Sequence, residues 1–315
     1  MSFPKFPKFH KLTVDDKDTY LPYYSLLTEP CCDFCFDDMM MWLDFNNDLE
    51  VSDLNGNLVI RFTNTLDNDA LYYSLLGEFE LRSSLDELFG YMKAQAQAPK
   101  LTYVPEQVGE AIRALHHDDF VVSEDTKNND YVYNVKSLLN LEGKPYENLR
   151  RRINHFKREN DDIQVREFDL NSAEDHKIIN SHIAKWASDE QTSHNDPDRL
   201  EVKIISKHLQ LAKYLSVRAY GLYANGVLVN INVFNLPPHK DWLIFNHIKC
   251  DYSYGDVYGY SFYSLFLIAE SLGIKYVNFE QDLDIEGLRR IKTFFRPEKL
   301  LRRYTVSLSS GPKNQ

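Results

Sequence analysis

Apolar positions in the second half of the chain follow two periods. Residues 163–169 alternate apolar and polar and read as a strand. Residues 173–188 place Ile178, Ile179, Ile183 and Trp186 at helical spacing, and residues 200–215 form a second helix of the same kind. Strands at 216–223 and 227–235 flank Asn225-Gly226, a dipeptide that favours a tight hairpin because both positions accept positive φ. A third strand covers 242–252. An apolar helix at 261–272 ends at Gly273, a residue suited to a helix C-terminus. A short strand (275–279), a helix (285–295) stopped by Pro297 and a closing strand (301–308) complete the pattern.

The first half repeats much of this. A helical stretch surrounds residues 20–27. Strands at 50–54 and 58–62 flank Asn55-Gly56, and a further strand covers 70–75. A helix over 83–96, capped by Ser83 or Ser84, precedes a strand (101–104), a helix (106–116) and strands at 120–123 and 131–135. Hairpin, strand, helix, strand, helix, strand thus occurs twice, and duplication of one α/β unit is the economical account. The expected domains are 1–127 and 128–315, the second including a basic linker helix at 145–159. A ligand cleft between the repeats follows from that arrangement.

Composition is that of an ordinary globular protein, 43% hydrophobic and 26% charged over 315 residues, with a formal net charge of −11. Two stretches run against that charge. Residues 144–158 hold six cations and one acid, Glu147; residues 289–303 hold seven cations and one acid, Glu298. Cations gathered in an acidic chain point to a phosphate-bearing ligand, although solvated helix faces are the plain alternative. The first ten residues lack a continuous apolar region, and the longest apolar run is far too short to span a bilayer, so a cytoplasmic protein is expected. Cys31, Cys32, Cys35 and Cys250 lack the second close Cys or His pair of a zinc site, and buried thiols are expected.

Two segments carry a family resemblance. Asp130-Tyr-Val-Tyr-Asn-Val135, with Leu139-Asn-Leu-Glu-Gly-Lys-Pro-Tyr146 and the basic run to Lys157, is one. Asn278-Phe-Glu-Gln-Asp-Leu-Asp-Ile-Glu-Gly-Leu-Arg-Arg290, with Phe-Phe-Arg-Pro297 and Arg303-Tyr-Thr-Val306, is the other. Both resemble proteins related to the C-terminal domain of phosphatidylglycerol lysyltransferase. The resemblance implies a mixed α/β fold of two tandem GNAT-like acyltransferase domains. It also implies kinship with Fem-type transferases, which take an aminoacyl group from charged tRNA. Membrane-bound lysyltransferases carry a transmembrane half ahead of this module, and these 315 residues contain none. The small-molecule or lipid acceptor therefore stays open.

Within that resemblance, Glu280 and Asp282 follow a strand end and are the candidate catalytic carboxylates, acting as base or orienting an amine; N-capping or pairing with Arg289 or Arg290 is the alternative. Arg150, Arg151, Lys157 and Arg158 on the linker helix, and Arg289 and Lys292 on the late helix, are candidate phosphate ligands. Arg150 and Lys157 share one helix face, and Arg151 and Arg158 another. Tyr252 and Tyr254 line the loop after the third strand, positioned to stack on the donor's terminal adenine or to donate to a developing oxyanion; packing over the loop is the plain alternative. Gly259 stands where CoA-using GNAT enzymes present backbone N–H groups to a pyrophosphate, but Asp256 replaces the usual cation there. The expected donor is accordingly aminoacyl-tRNA, with no cofactor. An acyl-CoA donor, or a non-catalytic RNA- or phospho-ligand-binding module, is the alternative.

Overall fold

The computed structural model describes residues 2–43, 46–64, 70–116, 118–188 and 196–309. A two-residue strand β1 (His10–Lys11) and helices α1 (Lys17–Tyr24) and α2 (Phe36–Met41) precede a meander of β2 (Asn46–Leu54), β3 (Asn57–Asn64) and β4 (Ala70–Leu76). Helix α3 (Leu81–Ala94), β5 (Lys100–Pro105), α4 (Glu106–Ala114) and β6 (Phe120–Glu124) follow. Next come β7 (Asp130–Asn134), α5 (Val135–Asn140), α6 (Glu147–Glu159), β8 (Ile163–Glu167), α7 (Ala173–Ala187) and α8 (Asp196–Gln210). Strands β9 (Val217–Ala224), β10 (Val227–Asn235) and β11 (Trp242–Cys250) lead to α9 (Val257–Ser271). The chain closes with β12 (Tyr276–Asn278), α10 (Glu286–Phe294), β13 (Lys299–Leu301) and β14 (Arg303–Leu308).

Both Asn-Gly hairpins form. Asn55 and Gly56 take φ of 55° and 88°, and Asn225 and Gly226 take 51° and 79°, the paired positive values a two-residue primed turn requires. The expected cap of α3 differs. Glu80, at φ 44°, holds the N-cap position, and Ser84 lies inside the helix, where its hydroxyl accepts from the amides of Asn55 and Asn57. Helices α2 and α5 have six residues each, too few to show a helical period in sequence. None of the described helices is long and apolar enough to cross a membrane.

The chain forms two units. The first comprises Met1–Asp130, Gln281–Leu283 and Leu300–Gln315; the second comprises Tyr131–Glu280 and Asp284–Lys299. The closing segment thus leaves the domain expected at 128–315. Strand β14 inserts between β5 and β6, antiparallel to both, and completes a three-stranded sheet beside the four-stranded sheet β1-β2-β3-β4. In the second unit the order is β13-β7-β12-β11-β10-β9-β8, so β7 inserts between β12 and β13 as β14 does between β5 and β6. Sequence periodicity finds a strand without saying which sheet takes it. One face of this sheet packs on α5, α6 and α9 through Leu149, Ile153, Phe156, Phe262 and Phe266. The other meets α7 and α8 through Ile179, Ile183, Ile205 and Leu209.

The insertion of β14 brings a fully buried Arg303 into the first unit. Its Nε donates to Asp33 Oδ2 at 2.6 Å and its Nη2 to Asp130 Oδ2 at 2.7 Å. Asp130 also accepts from the backbone N–H and the thiol of Cys32, at 3.0 and 3.1 Å. Gln281 donates to Asp33 Oδ1 at 2.7 Å and lies 3.0 Å from Cys32 Sγ. All four cysteines are free and buried, and burial pushes the Cys31 thiol up to about 12. Burial also raises the Asp33 carboxyl, against the pull of Arg303 and with the help of Asp130. Cys32, Asp33 and Asp130 bring possible ligand atoms within 4.8 Å of one another, but the guanidinium already supplies the positive charge there.

Arg303→Leu should destabilise the fold by about 3–5 kcal/mol, because it strands buried carboxylates without a cation. Arg303→Lys should recover only part of this, since an ammonium cannot fork between two acids. Urea denaturation measures both, and a loss below about 1 kcal/mol for Arg303→Leu would show the cluster to be dispensable.

Candidate active site

In the second unit β11 and β12 run parallel but pair only at Trp242–Tyr276, Leu243–Val277 and Ile244–Asn278. Strand β11 continues six residues further while β12 stops, so the pair opens at its C-terminal end. At that point β11 bulges. Phe234 of β10 faces Phe245 and Val233 faces His247, which leaves Asn246 as the extra residue. Its Nδ2 donates to Glu280 Oε1 at 2.8 Å, across the opening.

Glu280 is fixed from several sides. Its backbone N–H donates to Asn278 Oδ1 at 2.8 Å, and its carbonyl accepts from the Tyr131 N–H at 3.1 Å and Lys292 Nζ at 3.2 Å. Its φ of 57° is an uncommon conformation for a residue with a side chain. The preceding Phe279 holds it there, packed within 4.5–4.8 Å, centroid to centroid, of the rings of Phe262, Phe245 and Tyr133. The result is a half-buried carboxylate at a strand end, over an aromatic floor and beside an open strand pair. Such a group can orient an amine or accept its proton. Asp282, the other candidate, is buried and belongs to the first unit.

The candidate phosphate ligands separate into two sets. Arg150 donates to the carbonyls of Leu141 and Gly143, so it caps the end of α5. Lys157 lies 5.2 Å from the centroid of the Tyr263 ring. Arg151 and Arg158 are exposed, seven residues apart on α6, and make no ion pair among the described residues. On α10, Arg289 pairs with Asp284, and Lys292 donates to the carbonyls of Phe279 and Glu280. Tyr252 is exposed and Tyr254 half-buried on the turn before α9.

Gly259 serves packing. A Cβ there would meet Arg152 Cβ at 3.3 Å and Leu149 Cδ1 at 3.9 Å, so α6 lies directly on the first turn of α9. Asp256, at its N-cap, faces Arg152 Nη1 at 3.1 Å. The glycine signal was visible in sequence; the helix that covers it was not. Asn246 was also missed, because a bulge changes strand register without altering the composition of the strand.

Behind the bulge lies a cluster of buried histidines. His208 donates through Nε2 to Asn235 Oδ1 at 2.8 Å, its Nδ1 has no partner, and its ring stands 5.6 Å from that of His247. His182 Nε2 bonds the carbonyl of Lys249 at 2.8 Å. Burial lowers all three rings, His208 to about 4, and His208 and Lys249 further lower His247.

The family described as phosphatidylglycerol lysyltransferase, C-terminal, matches residues 31–307. The chain belongs to that family. No curated protein matches it. A conserved protein of unknown function from Bacteroides thetaiotaomicron is 22% identical, with 96% of this chain and 99% of that chain covered and a TM-score of 0.83. FemX is 10% identical at 97% and 98% coverage, with a TM-score of 0.61. A GNAT-family acetyltransferase from Colwellia psychrerythraea is 13% identical at 96% and 99% coverage, with a TM-score of 0.50. At these identities the structures establish the fold, which is that of the GNAT acyltransferases. For a phosphatidylglycerol lysyltransferase C-terminal family member, fold and family together give an aminoacyl- or acyltransferase architecture, with Glu280 at its open strand pair.

The buried histidines set a pH dependence. Unfolded, His208 binds a proton below about 6.5; folded, it stays neutral down to about 4. Stability is therefore present above pH 6.5 and is lost as pH falls toward 4. At pH 5 the loss should be about 2 kcal/mol from this residue. His208→Gln should flatten the fall in melting temperature between pH 7 and pH 5; an unchanged slope would assign the acid sensitivity elsewhere.

Proposed function

We propose that this protein is an aminoacyltransferase that moves an aminoacyl group from charged tRNA to an amine or hydroxyl acceptor. The observation that carries the reading is Glu280, held by Asn246 at the mouth of the opened strand pair. The acceptor nitrogen or oxygen attacks the ester carbonyl and forms the new acyl bond. The bond from the acyl carbon to the ribose oxygen breaks. Glu280 takes the acceptor's proton and then gives it to the departing ribose oxygen, which restores the carboxylate. No covalent enzyme intermediate is needed.

Arg151 and Arg158 support a polyanionic donor, since α6 presents both to solvent on one face. Helix α6 also covers the first turn of α9, and Asp256 stands at its N-cap, an unfavourable setting for a CoA pyrophosphate. The roles of Tyr252 and Tyr254 belong to the same proposal.

Glu280→Gln should lower kcat by about 10²–10⁴-fold in a transfer assay while leaving tRNA affinity unchanged. Equal loss of affinity would make the residue a binding element. Arg151→Ala with Arg158→Ala should weaken charged tRNA in filter binding and reduce the salt slope by roughly two contacts. If affinity and slope stay the same, and acetyl-CoA instead raises the melting temperature, the donor is a thioester.

A further inference from the structure

A groove of about 730 Å³ runs between α7 and the end of α8, on the opposite side of the seven-stranded sheet from α6 and α9. That volume falls within the roughly 300–1,000 Å³ of small-molecule sites. Leu170 and Leu209, half-buried and buried, give it an apolar floor. His176, Lys177 and Asn180 line it from α7, within one arc of about 100° that also holds Ala173 and leaves Glu174 outside. Gln210 and Lys213 line it from the end of α8 and the turn beyond. No carboxylate is among the described residues that line it. Lys177 and Lys213 are exposed and make no ion pair among the described residues. An adjoining cavity of about 440 Å³ does hold acids, but there Glu167 is taken by Arg218, and Asp169 accepts from the Asn171 N–H. The charge left unmatched along the groove is that of the two lysines.

His176 donates through Nε2 to the Leu170 carbonyl at 2.7 Å, which in the neutral ring leaves Nδ1 as an acceptor. We propose that the groove is a binding site for a small polyhydroxylated anion, a sugar phosphate or a sugar acid. Lys177 from α7 and Lys213 from the turn after α8 meet the phosphate or carboxylate. Nδ1 of His176 and the amides of Asn180 and Gln210, which both donate and accept, pair with hydroxyls. Leu170 and Leu209 cover the C–H face of the ligand. Charge sets the class: in a chain of net charge −11, a cavity lined by two unpaired cations and no acid concentrates an anion. None of these residues belongs to the transferase site, so the proposal stands independently of that reading.

The test is isothermal titration calorimetry of the full chain with glucose 6-phosphate, with gluconate and, as the neutral control, with glucose. Saturable binding of at least one anion, weakened by salt, and no binding of glucose are expected. Lys177→Ala with Lys213→Ala should weaken the anion by roughly tenfold or more. Lys93→Ala with Lys127→Ala, an equal loss of exposed charge elsewhere, should leave it unchanged. Ala173→Trp keeps the charge but fills the groove, so it should abolish binding. Melting temperatures of the variants without ligand check folding. Binding of glucose 6-phosphate alone assigns a phosphate ester, and binding of gluconate alone a carboxylate. Absence of saturable binding by either anion overturns the proposal. So does glucose binding at equal strength, the same loss for both lysine pairs, or binding that survives Ala173→Trp in a folded protein.

Discussion

One buried guanidinium holds the first unit together. Arg303 lies between Asp33 and Asp130, and Gln281 adds a hydrogen bond to Asp33, so four distant parts of the chain meet at one charge cluster. A buried cation and two carboxylates are costly unless every one of them is bonded. That cost makes the arrangement specific. Strand β14 can enter between β5 and β6 in one register only if Arg303 reaches both acids. The same cluster fixes Gln281 through its hydrogen bond to Asp33.

The second unit uses apolar packing for a similar end. Phe279 is held by Phe262, Phe245 and Tyr133, which makes the left-handed backbone at Glu280 tolerable. Such a conformation costs of order 1–3 kcal/mol and persists where the surroundings overdetermine it. Leu283 and Asp284 share it, with φ of 51° and 62°. An aromatic floor, a strained turn and a bulge at Asn246 thus converge where two parallel strands part. Each alone is ordinary; together they place one carboxylate beside an opening in the sheet.

Much of this was legible in the sequence. Period and turn chemistry located the hairpins at Asn55-Gly56 and Asn225-Gly226, the strand over 227–235 and the helix over 173–188, because those signals are local. What escaped was set by partners far along the chain. Nothing near Arg303 marks it as buried, since seven cations within 289–303 look alike until β14 is assigned a sheet. The bulge at Asn246 and the cover of α6 over Gly259 are likewise properties of neighbours. Helix α10 is the converse case: its period was clear, but only the structure shows that its aliphatic side chains are left uncovered.

The two cationic runs are therefore not one kind of feature. In each, the fold uses part of the charge internally: Arg150 on carbonyls at the end of α5, Arg152 on Asp256, Lys292 on strand-end carbonyls and Arg303 on buried acids. Of the others, Arg151 and Arg158 on α6, Arg290 on α10 and Arg296 just after it are exposed. Their surroundings differ as well. The α6 cations sit on a helix whose apolar residues are buried, whereas Ile285, Leu288 and Ile291 at α10 are exposed. Screening makes each exposed cation local to within about 8–10 Å, so the two sets act independently of one another.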